Sequence, residues 1–254
     1  MRIGFIQWHF GLLILFLGAI ITGCSTSNEK AYVYVLFDQS VCSKHARALY
    51  AHEFYGRVIP QLASGDTISG DVITDHTEQT ATNPIEIELM TFNPFVDNEV
   101  IHAGQIAGKK RQLEESVKDI LSHYAPNTDI MSGFCLASKM LKGARGQHFH
   151  KQALIVFTDG IEQNSAYDFT VEQDLSITRI QAIITHERCS GRLPDLRGVQ
   201  IFMVGVNIEP DPRAGITREK MAQMQSFWVE YCKACGATLD PNNYGQSLTN
   251  FTLH

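Results

Sequence analysis

No basic run of this 254-residue chain is long enough to offer a nucleic-acid footprint, and acids outnumber bases 27 to 21. A net charge of −6 without a basic patch excludes a general phosphate-backbone binder, so nucleic acid is not an expected partner. There is no internal repeat, no low-complexity tract and no linker long enough to divide the body, which favours one domain. Charged residues make up only 19% and apolar ones 44%, the proportions of an ordinary globular protein. Catalytic signatures are missing as well. The chain has no Ser/His/Asp or Cys/His order in a supporting context, no phosphate-cradling glycine loop and no nucleotide fingerprint, so it is not read as an enzyme.

The apolar run "FGLLILFLGAIIT" follows a short n-region containing Arg2, and it is too short for a comfortable transmembrane span. Residues 1–23 are therefore read as a secretory signal. Its ending, Ile21-Thr22-Gly23-Cys24, resembles a bacterial lipobox, in which the cysteine is lipidated (palmitate-type acyl chains) and becomes the mature N-terminus. Ser25 after it resembles the sorting signal for the Gram-negative outer membrane. The competing reading is an uncleaved signal anchor with an incidental cysteine. Residues 24–30, the lipidated Cys24 and "STSNEK", then form a tether with a reach on the order of 10–20 Å. An acidic body on such a tether is held by its acyl chains, since its charge does not attract anionic lipid.

From Ala31 onward, strands and amphipathic helices alternate. "AYVYVLF", "QALIVF" and "VQIFMVGV" are apolar throughout, as strands buried on both faces of a parallel sheet are. "GDTISGDVIT" and "PIEIELMTF" are weaker strands, expected as an antiparallel edge pair. Helical spacing marks Tyr50, Phe54, Val58 and Leu62, with Pro60 near the end; then Leu113, Val117, Ile120 and Tyr124; then Ile130, Phe134, Ala137 and Leu141. Further helices are expected over Leu175 to Arg188 and along a stripe of Met221, Met224, Trp228, Tyr231 and Cys235. The expected fold is α/β: a doubly wound, mainly parallel sheet with one antiparallel edge strand and helices on both faces, spanning 31–254.

In such sheets ligands bind beyond the carboxyl ends of the strands, at the point where the winding reverses. Two core strands end in acids, Asp38 and Asp159, and Asn127-Thr128-Asp129 precedes a helix. "FDQSVC", "NTDIMSGFCLASKML" and "LIVFTDGIEQN", in this order, resemble the three motifs of a von Willebrand factor A domain over residues 31–239. That resemblance implies a metal-ion-dependent adhesion site in which Asp38, Ser40 and Thr128 hold Mg²⁺ or another divalent cation, with Asp159 acting through water. An acidic group from a protein partner would complete the shell. Oxygen donors of this kind suit a hard cation that keeps several waters.

One position departs from the motif. Cys42 stands where the family has its last serine, and a thiol is a poor magnesium ligand. The alternative is a domain that keeps the fold, has a degraded site and serves as a metal-free scaffold. Of six cysteines, five remain after Cys24 is lipidated. In an oxidising compartment, Cys42–Cys135 would staple the crevice, and Cys189 would bond Cys232 or Cys235; buried free thiols are the competing reading. Cys232-Lys-Ala-Cys235 has redox-pair spacing but falls late in a helix, where the dipole does not favour a thiolate. "VLFDQS" also resembles the start of haloacid-dehalogenase-type hydrolases, which need a second acid where Ser40 stands. His148 and His150 are read as a solvated loop rather than a metal pair, and "NIEPDPRAG" as a stiffened rim loop.

These readings converge on a lipoprotein of the cell envelope, expected on the outer membrane facing the periplasm. It would bind another protein within an envelope-associated complex. A thiol-redox or hydrolytic lipoprotein is the alternative from a different class.

Overall fold

The computed structural model describes residues 30–40, 44–143, 148–171, 174–206 and 216–254. The signal segment, Cys24 with the tether up to Glu29, Cys42 and the 207–215 loop lie outside the described residues.

Strand β1 (Ala31–Asp38) is buried along its whole length. It earns that position by pairing in parallel on both sides, with β2 (Thr67–Ile73) and β4 (Lys151–Phe157). Beyond β2 lies β3 (Ile85–Glu88), antiparallel to it; beyond β4 lie β5 (Val199–Val204) and the two-residue β6 (Tyr244–Gly245). The six-stranded order is β3-β2-β1-β4-β5-β6. The molecule is thus α/β with a mainly parallel sheet and one antiparallel edge pair, the pair that the polar stretch 75–83 suggested in sequence.

Alternation along β1 divides the core in two. Tyr32, Tyr34 and Leu36 face α4 (Ile130–Lys142), α5 (Ile177–Cys189) and α6 (Arg218–Ala234). Val33, Val35 and Phe37 face α1 (Lys44–Glu53), α3 (Glu99–Ile120) and the C-terminal Leu248, Phe251 and Leu253. The chain leaves β1 toward β2 and later returns to β4 on β1's other side. The winding therefore reverses between β1 and β4, and a crevice opens there at the carboxyl edge. Phe37 stacks on Phe157 directly below that edge, centroids 4.8 Å apart, giving the crevice a rigid floor.

The helix spacings hold with local differences. Tyr50, Phe54, Val58 and Leu62 are all buried, but α1 stops at Glu53. A π-type turn (Phe54–Val58) and a 3-10 turn (Ile59–Gln61) carrying Pro60 complete the stripe. Tyr124 does not extend the α3 face. The helix ends at Ile120 with Leu121 as its cap, and Tyr124 is exposed. A four-residue helix, α2 (Thr77–Thr80), precedes β3. Helix α5 begins after Leu175, where the Ser176 side chain accepts from the Arg179 amide. On α6 the buried stripe also contains Phe227 and Cys232, and Cys235 is the C-cap.

Candidate functional site

At the carboxyl edge of β1 the Asp38 side chain is buried, yet it does not lack donors. Its Oδ1 accepts from the Ser40 amide at 2.9 Å and the Ser40 hydroxyl at 2.7 Å. Its Oδ2 accepts from the Thr158 hydroxyl at 2.7 Å. These bonds favour the carboxylate, but desolvation outweighs them and pushes the Asp38 pKa above the usual range. Asp159, half-buried one residue beyond Thr158, accepts from the Ile161 amide at 2.9 Å. Desolvation and then the Asp38 charge raise its pKa to about 7.

Thr128 comes from a third segment and is fixed by its backbone. Its carbonyl accepts from the Gln163 amide at 3.0 Å, while the following Asp129 amide donates to the Thr74 carbonyl at 2.9 Å. The Thr128 hydroxyl is buried and makes no well-formed hydrogen bond, although it stands close enough to Asp38 to favour its ionised form. The four residues singled out from sequence, Asp38, Ser40, Thr128 and Asp159, thus come together around the Asp38 carboxylate at the carboxyl edge.

Three further residues belong to the same neighbourhood and were missed in sequence. Thr158 bridges the two strand ends. Glu162 is fully buried, accepts from the Met131 amide at 3.0 Å and the Asn164 side chain at 2.8 Å, and has its pKa pushed well up by desolvation. The third, Tyr50, points a buried, unpartnered hydroxyl into the field of Asp159 and Asp38. Glu162 lies three residues after Asp159 in the same "TDGIEQN" segment, so a search of that loop for buried acids was the available signal. Asp129 serves differently: its carboxylate caps α4 through the Ser132 amide at 3.1 Å.

The donor chemistry fits a hard divalent cation on two grounds. A buried hydroxyl without a partner carries a desolvation cost that a ligand would offset. Two crowded carboxylates repel one another until a cation neutralises them. Among the described residues no group of three or more His, Cys, Asp or Glu side chains is placed to hold a metal, so such a shell rests on two carboxylates plus hydroxyls. Cys42 lies outside the described residues.

The expected bond from Cys189 to Cys232 or Cys235 is corrected, while the Cys42–Cys135 pairing falls on Cys42, outside the described residues. Cys135, Cys189, Cys232 and Cys235 are all free. Cys189 is exposed at the end of α5, whereas Cys232 is buried in the core on α6, so Cys189 meets neither Cys232 nor Cys235 in a bond. Cys135 donates its thiol to the Arg192 carbonyl at 3.2 Å.

Beside the rim lies a polar crevice of about 570 Å³, lined among others by Asp75, Glu78, Asn127, Asp129, Asn164 and Asp168. His148 and His150 are remote from it. They line a second crevice with Lys30, Glu86 and Glu88 at the opposite, amino edge of the sheet.

No protein-family model matches the chain, and no curated protein matches it. Among solved structures it is similar to the pilus adhesin SpaC from Lactobacillus rhamnosus GG in its open conformation. The similarity has 10% sequence identity and a TM-score of 0.48, covering 85% of this chain. The chain spans only 28% of that adhesin's length.

Proposed function

We propose that this chain is an envelope lipoprotein that binds another protein through a divalent-cation site at the carboxyl rim of its sheet. The observation that carries this reading is the buried, unpartnered Thr128 hydroxyl beside Asp38, with Asp159 crowded against the same carboxylate. Asp38, Ser40 and Thr128 would hold the cation and Asp159 would act through water, as the resemblance to von Willebrand factor A domains implies. The cation would supply a Lewis-acidic position for a carboxylate of the partner, and the chain's own residues orient it. Ser40 and Thr158 hold the Asp38 oxygens in place, and the Phe37–Phe157 stack keeps the strand ends from spreading. The partner segment would run along the adjoining polar crevice.

The thiol-redox reading has less support. Burial pushes the Cys232 and Cys235 thiols well above their ordinary range, which disfavours the reactive thiolate. For the hydrolytic reading, hydroxyl donors already engage both Asp38 oxygens.

Thermal unfolding of the mature protein in chelator, and then with Mg²⁺, Mn²⁺ or Zn²⁺, tests the proposal. A native-state ligand raises stability by mass action. An upward shift with Mg²⁺ or Mn²⁺ that disappears in Asp159→Ala is the expected result. No shift with any cation leaves the metal-free scaffold as the function.

A further inference from the structure

Five of the eight large hydrophobic side chains exposed among the described residues fall within twelve positions: Met90, Phe95, Val96, Val100 and Ile101. Phe95 is 95% exposed, Val100 81% and Val96 79%. Scattered exposed apolar residues need no explanation, but a contiguous set does. The segment is not a loose loop. Val96 and Asp97 donate their amides to the Asn93 carbonyl, the Asn93 side chain accepts from the Phe95 amide, and Asp97 accepts from the Asn93 amide at 2.7 Å. Asn98 then caps α3 by accepting from the amides of Val100 and Ile101. The turn and the cap together fix the apolar side chains outward.

Their place in the fold says what would cover them. The segment hangs from the amino edge of the sheet: Ser64 donates to the Met90 carbonyl and accepts from the Phe92 amide, and Gly65 packs against both Lys30 and Thr91. Lys30 is also the residue at which the tether from Cys24 enters β1. The carboxyl rim lies at the other end of the eight-residue β1, roughly 25 Å away. A tether reaching on the order of 10–20 Å keeps this edge, and not the rim, against an anchoring bilayer.

We propose that Phe95, Val96, Val100 and Ile101 form a membrane-docking surface that sinks into the lipid interface beside the acyl anchor. This rests on the reading of Cys24 as lipidated. Docking by this edge aims the cation site away from the membrane, toward a partner. Among the described residues no helix is long and apolar enough to cross a membrane, so the contact is interfacial.

The experiment uses the full lipidated protein in phosphatidylethanolamine–phosphatidylglycerol vesicles doped with a lipid carrying a photoreactive acyl chain. Adducts are mapped by mass spectrometry. Adducts on the 90–106 segment and none on 127–132 are expected, with the 90–106 yield falling about tenfold in Phe95→Asp/Val96→Asp. Adducts absent from 90–106 while Cys24 carries its lipid mass overturn the docking surface alone. A protein without lipid on Cys24 overturns the anchor reading instead. If 90–106 is shielded from a water-soluble label without lipid adducts, and the protein sediments as a dimer, the patch belongs to a second copy and the proposal fails.

Discussion

The hydroxyl of Thr158 donates to Oδ2 of Asp38 across 2.7 Å, joining two residues 120 positions apart in the chain. In-register pairing of Phe37 with Phe157 brings them together, and the bond ties the two strand ends at the carboxyl edge. Thr158→Val keeps the shape but leaves a buried carboxylate short of one donor. Urea unfolding of that variant should show a loss of about 1–3 kcal/mol, with Thr158→Ser close to the parent.

Thr128 should respond in the opposite sense. Its hydroxyl is buried without a well-formed bond, so Thr128→Val should leave the cation-free protein as stable as the parent or up to about 1 kcal/mol more stable. The same substitution should erase the thermal shift produced by Mg²⁺ or Mn²⁺. A Thr128→Val protein that is destabilised in chelator would mean that the hydroxyl is already satisfied.

The acids of the rim set a pH dependence whose sign can be checked. Asp159 is raised to about 7 in the fold, against roughly 3.9 when unfolded. The folded state therefore binds the proton more tightly. Its stabilising effect is complete below about pH 4 and is lost as pH rises through about 7, with a slope of at most about 1.4 kcal/mol per unit. Cation-free protein should be more stable at pH 5 than at pH 8. Asp159→Asn should flatten the profile, and a saturating divalent cation should lift the pH 8 end.

The four described cysteines should separate by accessibility. Cys189 is exposed and should alkylate first in the native protein, Cys135 more slowly, and Cys232 and Cys235 only on unfolding. Peptide mapping after timed iodoacetamide treatment reads the order directly. Cys135 is held back by burial as well as by its contact with the Arg192 carbonyl, burial raising its thiol to about 12.

Gly160, just after Asp159, adopts φ +81°, and a β-carbon there would press on Val206 and the Tyr244 hydroxyl. Trp228 also donates to its carbonyl at 2.8 Å. Gly160→Ala should cost on the order of 1–2 kcal/mol and weaken the cation response, because the strain falls on the loop that carries Asp159. Thermal unfolding with and without cation measures both effects.

The amino-acid order by itself determined the strands, because β1, β4 and β5 are continuous apolar runs and such runs have little choice but a two-sided burial. It also pointed to Asp38 and Asp159, acids at the ends of buried strands, while Ser40 and Thr128 were named through the resemblance to von Willebrand factor A motifs. Only the tertiary structure decided that Thr158 bridges to Asp38, that Glu162 and Tyr50 turn inward, and that Cys189 bonds neither Cys232 nor Cys235. It alone placed the exposed Phe95 turn at the edge where Lys30 enters the sheet. Periodicity is a property of one segment and survives in a linear string. A hydrogen bond, an unpaired hydroxyl or a shared edge depends on segments 60 to 120 residues apart, and their meeting is fixed only when strand register and helix packing are.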